Sequence, residues 1–130
     1  MDRAKFKELV KKYHCKPSLT LGLANCAADS LRPEIEIKHI SCFTECVSSN
    51  NGKSGIGYLV VTDKDIQCMA STFPGFCFFS RNITIPFERI VSVEVSSDVF
   101  DGLVISTQNA TYKFNAIDNP YSIRDLITLK

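Results

Sequence analysis

A chain of 130 residues and 14.5 kDa is long enough for one domain around one hydrophobic core, and too short for a second independent domain. Hydrophobic residues make up 45% and charged residues 22%, with nine Phe and four Tyr, which excludes a disordered, collagen-like or coiled-coil chain. The 15 basic and 14 acidic side chains leave a net charge of +1, so no global field favours nucleic acid or an anionic membrane.

Residues 1–16 predict a basic amphipathic helix. Four apolar side chains recur at the spacing of one helical face, namely Phe6, Leu9, Val10 and Tyr13. Lysines flank this stripe at Lys5, Lys7, Lys11 and Lys12. The helix either docks on the domain, which we favour because the stripe is short, or rests on a membrane surface or on nucleic acid. Residues 17–32, which are rich in small side chains, predict a short second helix and a connector.

From Glu34 the hydrophobic period changes from 3.6 to 2, which predicts a succession of antiparallel strands. The first is a long strand that a β-bulge bends where the apolar set jumps from Ile35 and Ile37 to Ile40, Cys42 and Cys46. After a turn at residues 50–52, the continuous apolar run from Tyr58 to Val61 predicts a second strand that is buried on both faces.

Five more strands and a final helix follow. Their inward-facing residues are Ile66, Cys68 and Ala70; Ile83, Ile85 and Phe87; Val91, Val93 and Val95; Leu103, Ile105 and Thr107; and Tyr112, Phe114 and Ala116. Pro86 indicates that the fourth strand lies at a sheet edge, because proline has no N–H to donate. The helix begins with Asp118 or Asn119 as N-cap and Pro120 in its first turn, and its apolar face is formed by Ile123, Leu126 and Ile127.

These elements predict an α+β, mainly β fold. Seven antiparallel strands form a barrel or sandwich, and the C-terminal helix caps its open end. The N-terminal helix and connector occupy residues 1–33, and the domain occupies residues 34–130.

Three segments of this domain resemble the bacterial pleckstrin-homology-like (PH-like) family. Residues 57–66, Gly-Tyr-Leu-Val-Val-Thr-Asp-Lys-Asp-Ile, are similar to its strand-turn-strand unit. Residues 83–93, Ile-Thr-Ile-Pro-Phe-Glu-Arg-Ile-Val-Ser-Val, look like its Ile-Pro-aromatic segment, and residues 102–114 are similar to its closing hairpin. The resemblance implies a PH-like binding scaffold over residues 34–130, and the scaffold does not select the partner.

The best-known ligand of that family, a phosphoinositide, needs several Lys and Arg side chains around its phosphates. This chain offers Lys53 in the first loop and Lys64 in the next turn. Beside Lys64, Asp65 occupies a position that is commonly basic in the family. The sequence therefore disfavours phosphoinositide binding, and leaves these two lysines and those of the N-terminal helix as candidate contacts for an anion or a lipid.

The segment Phe73-Pro74-Gly75-Phe76-Cys77-Phe78-Phe79 places four phenylalanines around a Pro-Gly turn. Its rings either fill the interior and ends of the barrel or form an exposed anchor for another protein or a second copy of the chain. An edge strand near Pro86 can also accept a partner strand. The predicted partner-binding residues are Phe73, Phe76, Phe78, Phe79 and Pro86.

Catalytic and metal-binding chemistry lacks support in the sequence. Six cysteines, Cys15, Cys26, Cys42, Cys46, Cys68 and Cys77, are expected to be reduced, because neither a secretory segment nor a small loop-rich composition accompanies them. There is no Cys-x-x-Cys pair, and His14 and His39 lie in different predicted elements, so no metal or cofactor is expected. Nor does any motif combine a nucleophile, a base and a stabilising group.

We therefore expect a cytoplasmic, non-catalytic protein-binding module that works as an adaptor, regulator or inhibitor. An inhibitor of a host factor, encoded by a phage or mobile element, is one hypothesis. The alternative is a membrane-surface module that uses the basic N-terminal helix on anionic lipid, and nucleic-acid binding comes third.

Overall fold

The computed structural model describes residues 2–13, 28, 35–50, 53–71, 81–97, 101–117 and 119–128. Its elements are α1 (Arg3–Lys12), β1 (Ile40–Asn50), β2 (Lys53–Thr62), β3 (Asp65–Ser71), β4 (Arg81–Pro86), β5 (Ile90–Ser97), β6 (Asp101–Thr107), β7 (Thr111–Asn115) and α2 (Pro120–Thr128). Two 3-10 turns, Ile37–His39 and Phe87–Arg89, precede β1 and β5. The predicted second helix lies outside the described residues, except for Ala28, which is helical and buried.

The strands form one seven-stranded antiparallel sheet in the order β4-β3-β2-β1-β7-β6-β5. The sheet is not closed, because β4 and β5 end it on opposite sides. Its two halves face each other as a sandwich, since side chains from both halves share one core. The predicted α+β, mainly β fold with seven antiparallel strands and a helix near each end is confirmed.

This inner core lies between the two halves of the sheet and beneath α2. Its buried members are Cys46, Leu59, Val61, Ile66, Cys68, Ile85, Leu103, Ile105, Phe114, Ile117, Ile123 and Ile127. Ile123 and Ile127 come from α2, whose start is held by Asn119, the side-chain amide of which donates to Ser122 Oγ at 2.8 Å. The predicted capping role of the C-terminal helix is confirmed by these contacts.

A second, outer core lies on the opposite face of β1, β2 and β3, where α1 covers the sheet. Its buried members are Phe6, Leu9, Ala28, Ile35, Ile40, Phe43, Tyr58, Val60 and Met69. The Phe6 ring meets Phe43 and Tyr58 edge to face, at centroid distances of 5.3 and 5.2 Å. The apolar stripe of α1 is thus used against the sheet, which is the docked arrangement that we favoured.

Packing on both faces of β2 explains its continuous run of apolar residues. Tyr58 and Val60 belong to the outer core, whereas Leu59 and Val61 belong to the inner core, and all four are buried. The expectation that β2 is buried on both faces is confirmed. A strand with no polar face requires apolar packing on both sides, and α1 supplies the second side.

Several details of the predicted strands are wrong. β1 begins at Ile40 rather than Glu34, because the 3-10 turn intervenes and the backbone N–H of His39 donates to the carbonyl of Glu36 at 2.9 Å. Lys53 begins β2 rather than lying in a loop, because β1 and β2 pair as far as Asn50 and Lys53. Phe87 and Ala116 also lie beyond the strands to which they were assigned, although Phe87 still packs against the inner core. Phe87 follows β4 in the second 3-10 turn, and Ala116 lies beyond β7 with a positive φ of 56°. A bulge is present, but it lies between Ile40 and Cys42 rather than before Ile40, so Ile40 belongs to the outer core and Cys46 to the inner core.

Cys46 and Cys68 face each other in the inner core, with their Sγ atoms 3.7 Å apart and sharing a hydrogen bond. Both side chains are buried, and of the cysteines in the described residues these two and Cys42 are free thiols. The hydrogen bond with Cys68 and burial together raise the pKa of the Cys46 thiol well above its ordinary value of 9.0. The folded protein therefore holds Cys46 in its neutral form.

This shifted pKa predicts an alkaline loss of stability. The unfolded thiol releases its proton near pH 9, whereas the folded thiol retains it, so the stabilisation is complete below that pH and declines as pH rises towards the folded pKa. Urea unfolding in reductant from pH 8 upward should show a steeper decline for the wild type than for Cys46→Ala. Equal slopes would contradict the assigned environment of Cys46.

None of the described helices is long and apolar enough to cross a lipid bilayer.

Candidate protein-binding site

A groove of about 440 Å³ lies where the two ends of the sheet approach each other. Three segments enclose it: the end of β4, the turn that leads into β5, and the hairpin between β6 and β7. It is lined by Thr84, Ile85, Pro86, Glu88, Arg89, Ile90, Val91, Thr107, Gln108, Asn109, Ala110 and Tyr112. Pro86, the predicted edge residue, is therefore part of the groove.

The turn between β4 and β5 sets the shape of one wall. Pro86 is extended, with φ −61° and ψ 140°, and it is the last residue of β4, opposite Asp65. The next residue, Phe87, donates its backbone N–H to the carbonyl of Lys64 at 3.1 Å, which ties the turn to the β2–β3 connection. Glu88 and Arg89 follow with exposed side chains, so the wall offers both signs of charge to a ligand.

Val91 is the main departure from the predicted strand pattern. The alternation Val91, Val93, Val95 predicts three inward side chains, yet Val91 is 65% exposed. The reason is a register shift in the β5–β6 pairing between Ile90 and Ser92, where a bulge reverses the alternation. Ile90 consequently packs with Val93 and Val95 against the inner core, and Val91 projects beside the groove.

The β6–β7 hairpin forms the opposite wall. Thr107 donates its backbone N–H to the carbonyl of Ala110 at 2.8 Å, and the Ala110 N–H donates to Thr107 Oγ1 at 3.2 Å. These bonds hold a short, closed hairpin whose tip residues, Gln108 and Asn109, are exposed. Their amide groups can both donate and accept hydrogen bonds at the rim of the groove.

The lining of the groove therefore combines apolar surface with hydrogen-bonding groups. Val91, Pro86 and Tyr112 supply the apolar part, whereas Thr84 and the two tip amides supply polar contacts. No Cys or His is among the described residues that line it. This composition suits an extended peptide, which presents main-chain polar groups and side chains together.

The other predicted site residues lie elsewhere or are not described. The lysines of α1, Lys5, Lys7, Lys11 and Lys12, are all exposed on the helix, and Lys64 is exposed in the β2–β3 turn. Lys53 lies in β2, and its side chain is not among those described. The aromatic segment with Phe73, Phe76, Phe78 and Phe79 lies outside the described residues, so its role stays a prediction.

Sequence analysis missed most of the groove, including Glu88, Arg89, Val91, Gln108 and Asn109. They come from two segments about twenty positions apart, and nothing in the local pattern of either segment shows that they meet. Pro86 did indicate this region, because its missing N–H assigned the fourth strand to a sheet edge. Among the described residues, no three His, Cys, Asp or Glu side chains are placed to hold a metal ion.

Comparison with known proteins identifies no family for this chain. No protein-family model matches it. No curated protein matches it either. Among solved structures, it is similar to the C-terminal domain of an unknown protein from Leishmania infantum, with 16% sequence identity and a TM-score of 0.58 over 70% of this chain and 84% of that one. At this identity the likeness concerns the fold alone, so the resemblance to the PH-like family stays a prediction.

Proposed function

We propose that this protein is a non-catalytic protein-binding module on a PH-like scaffold. It binds an extended segment of another protein, or of a second copy of itself, in the groove at the open ends of the sheet. In this role it acts as an adaptor, regulator or inhibitor in the cytoplasm. The observation that carries the proposal is the groove beside the unclosed end strand β5, with Val91 exposed at its rim.

β5 is better suited than β4 to pair with a partner strand. β4 has six residues and ends at Pro86, which cannot donate a backbone hydrogen bond. β5 has eight residues and no proline, and it ends the sheet of described strands on the other side. A partner strand added to β5 would gain main-chain hydrogen bonds, with Pro86 and the turn after it serving as a side wall.

The composition of the groove supports binding rather than catalysis. Its described lining offers amides, hydroxyls, one carboxylate and one guanidinium, and these are groups that fix a peptide without a nucleophile. The buried thiols Cys46 and Cys68 are enclosed in the inner core, away from any substrate. The aromatic segment from Phe73 to Phe79 remains a second predicted contact.

The proposal is tested by affinity capture from the native cell with matched baits. Val91→Asp places a charge at the exposed rim without removing buried packing, and Tyr121→Ser changes an equally prominent side chain on α2, which is 52% exposed. The wild type and Tyr121→Ser should recover the same partner in similar amounts. Val91→Asp should recover at least about tenfold less of it, because loss of a central interface contact lowers affinity by about that factor.

Amide hydrogen exchange on the recovered complex then locates the contact. Bound partner should slow exchange in β5, because its outward N–H groups become hydrogen-bonded. Equal recovery with Val91→Asp, or protection confined to other strands, would contradict binding at this groove.

A further inference from the structure

The outer surface of α1 carries a concentration of positive charge that the proposed function does not use. Between Asp2 and Lys12 there are five basic and two acidic side chains, whereas the whole chain has 15 and 14. Asp2 is engaged in capping the helix, since its Oδ1 accepts from the Ala4 N–H at 2.7 Å. The excess charge of the molecule is therefore concentrated on this one helix.

Docking of α1 fixes where these charges point. Phe6 and Leu9 are buried against the sheet, so the remaining sides of the helix face solvent. Lys7 and Lys11 lie one turn apart on one flank, and Lys5 and Lys12 lie two turns apart on the other. All four side chains are exposed. From Lys5 to Lys12 they span about 10 Å along the helix axis, on one surface of the protein.

We propose that this lysine face of α1 is a peripheral docking surface for anionic lipid headgroups. Charge complementarity selects the occupant, because four exposed ammonium groups on one helix match a surface of negative charge. Insertion into the bilayer is not part of the contact. The apolar side chains that would insert, Phe6 and Leu9, already form the outer core with Phe43 and Tyr58.

The exposed composition of α1 favours a lipid surface over nucleic acid. Between the lysine flanks lie Ala4 and Glu8, both exposed. Readers of nucleic acid commonly add aromatic rings that stack on bases, and the aromatic ring within α1, Phe6, is buried against the sheet. Lysines act as point charges, which is sufficient for headgroups that move freely in the plane of a membrane.

The expected binding is weak and salt-dependent. Each lysine near an anionic leaflet is expected to raise the partition coefficient about fivefold, so four together give about a several-hundred-fold preference over neutral lipid. Without an inserted side chain, this attraction decreases steeply as salt shortens the screening length from about 10 Å at 0.1 M to about 3 Å at 1 M. The contact is therefore transient and separate from partner binding at the groove.

Vesicle sedimentation of the full chain tests the proposal. The vesicles contain phosphatidylcholine with about 30% phosphatidylserine, and the reference vesicles contain phosphatidylcholine alone. Lys7→Gln/Lys11→Gln should lower the partition coefficient about 25-fold, from two lysines at about fivefold each. The matched control Lys38→Gln/Lys113→Gln removes the same charge from exposed sites outside α1 and should change the partition coefficient far less.

Three outcomes would overturn the assignment. Equal losses in the two double variants would show that total charge, not the face of α1, controls binding. Retention of binding at about 1 M salt would show insertion instead of electrostatic contact. Absence of wild-type binding to the anionic vesicles would show that anionic lipid does not bind this face. If the wild type then retards duplex DNA at physiological salt, the lysine face binds nucleic acid instead.

Discussion

Replacement of Phe6 by alanine is expected to lower the free energy of unfolding by about 3–5 kcal/mol. The side chain is only 1% exposed, and its ring lies against both Phe43 and Tyr58. Alanine removes the two edge-to-face contacts and leaves a cavity between α1 and the sheet, which adds to the loss of apolar burial. Urea unfolding followed by circular dichroism measures the change.

The matched control for Phe6 is its neighbour Lys7, which is exposed on the same helix. Lys7→Ala keeps the helix and removes no buried contact, so its effect should stay within about 0.5 kcal/mol. If Phe6→Ala lowered the free energy of unfolding by less than about 1 kcal/mol, Phe6 would behave as a surface residue. That result would contradict the docking of α1 on β1–β3.

The outer core also explains where a partner can bind. Strands β1–β3 pack against the inner core on one face and against α1 on the other, so neither face of β2 is accessible. Among the described residues, the surfaces that remain accessible include the outer face of β5–β7, the end strands, the connecting turns and the solvent side of the helices. The proposed groove and the lysine face of α1 are two such surfaces, and they use different chemistry.

Periodicity alone predicted the elements because the burial pattern is strong and local. The run from Tyr58 to Val61 could only be a strand covered on both sides, and Pro120 with the apolar set after it could only begin an amphipathic helix. The face on which α1 docks was not predictable. That choice depends on which side of β1–β3 carries Phe43 and Tyr58, and the bulge between Ile40 and Cys42 brings Ile40 to the same side.

The candidate site was less predictable than the fold. A second bulge, between Ile90 and Ser92, moves Val91 from the expected interior to the rim, and bulges leave no clear mark in an alternating apolar strand. The groove also requires the β6–β7 hairpin to approach the end of β4, which is a non-local contact. Pro86 could be assigned to the edge because the absence of its N–H is a local property.

The β2–β3 turn is built around a buried acid, Asp65, which is 4% exposed. Thr62 donates its hydroxyl to Asp65 Oδ1 at 2.7 Å, and the side-chain amide of Gln67 donates to the same oxygen at 3.3 Å. The Asp65 backbone N–H donates back to Thr62 Oγ1 at 3.1 Å. The sequence predicts a resemblance to the PH-like family, in which this position is commonly basic, so replacing Asp65 by lysine compares the two side-chain types in this turn.

Asp65→Lys is expected to lower the free energy of unfolding by about 3–5 kcal/mol without creating an inositol-phosphate site. The substitution removes the acceptor from Thr62 and Gln67 and places a cation among their hydrogen-bond donors. Asp65→Asn retains an acceptor oxygen for Thr62 and should cost no more than about 1–2 kcal/mol. Urea unfolding compares the variants, and titration calorimetry with inositol trisphosphate checks for binding. A lysine variant as stable as the wild type would show that the buried hydrogen-bond network of Asp65 has no structural role. Binding of inositol trisphosphate by that variant would show that the rest of a phosphate site is present and that only Asp65 prevents binding.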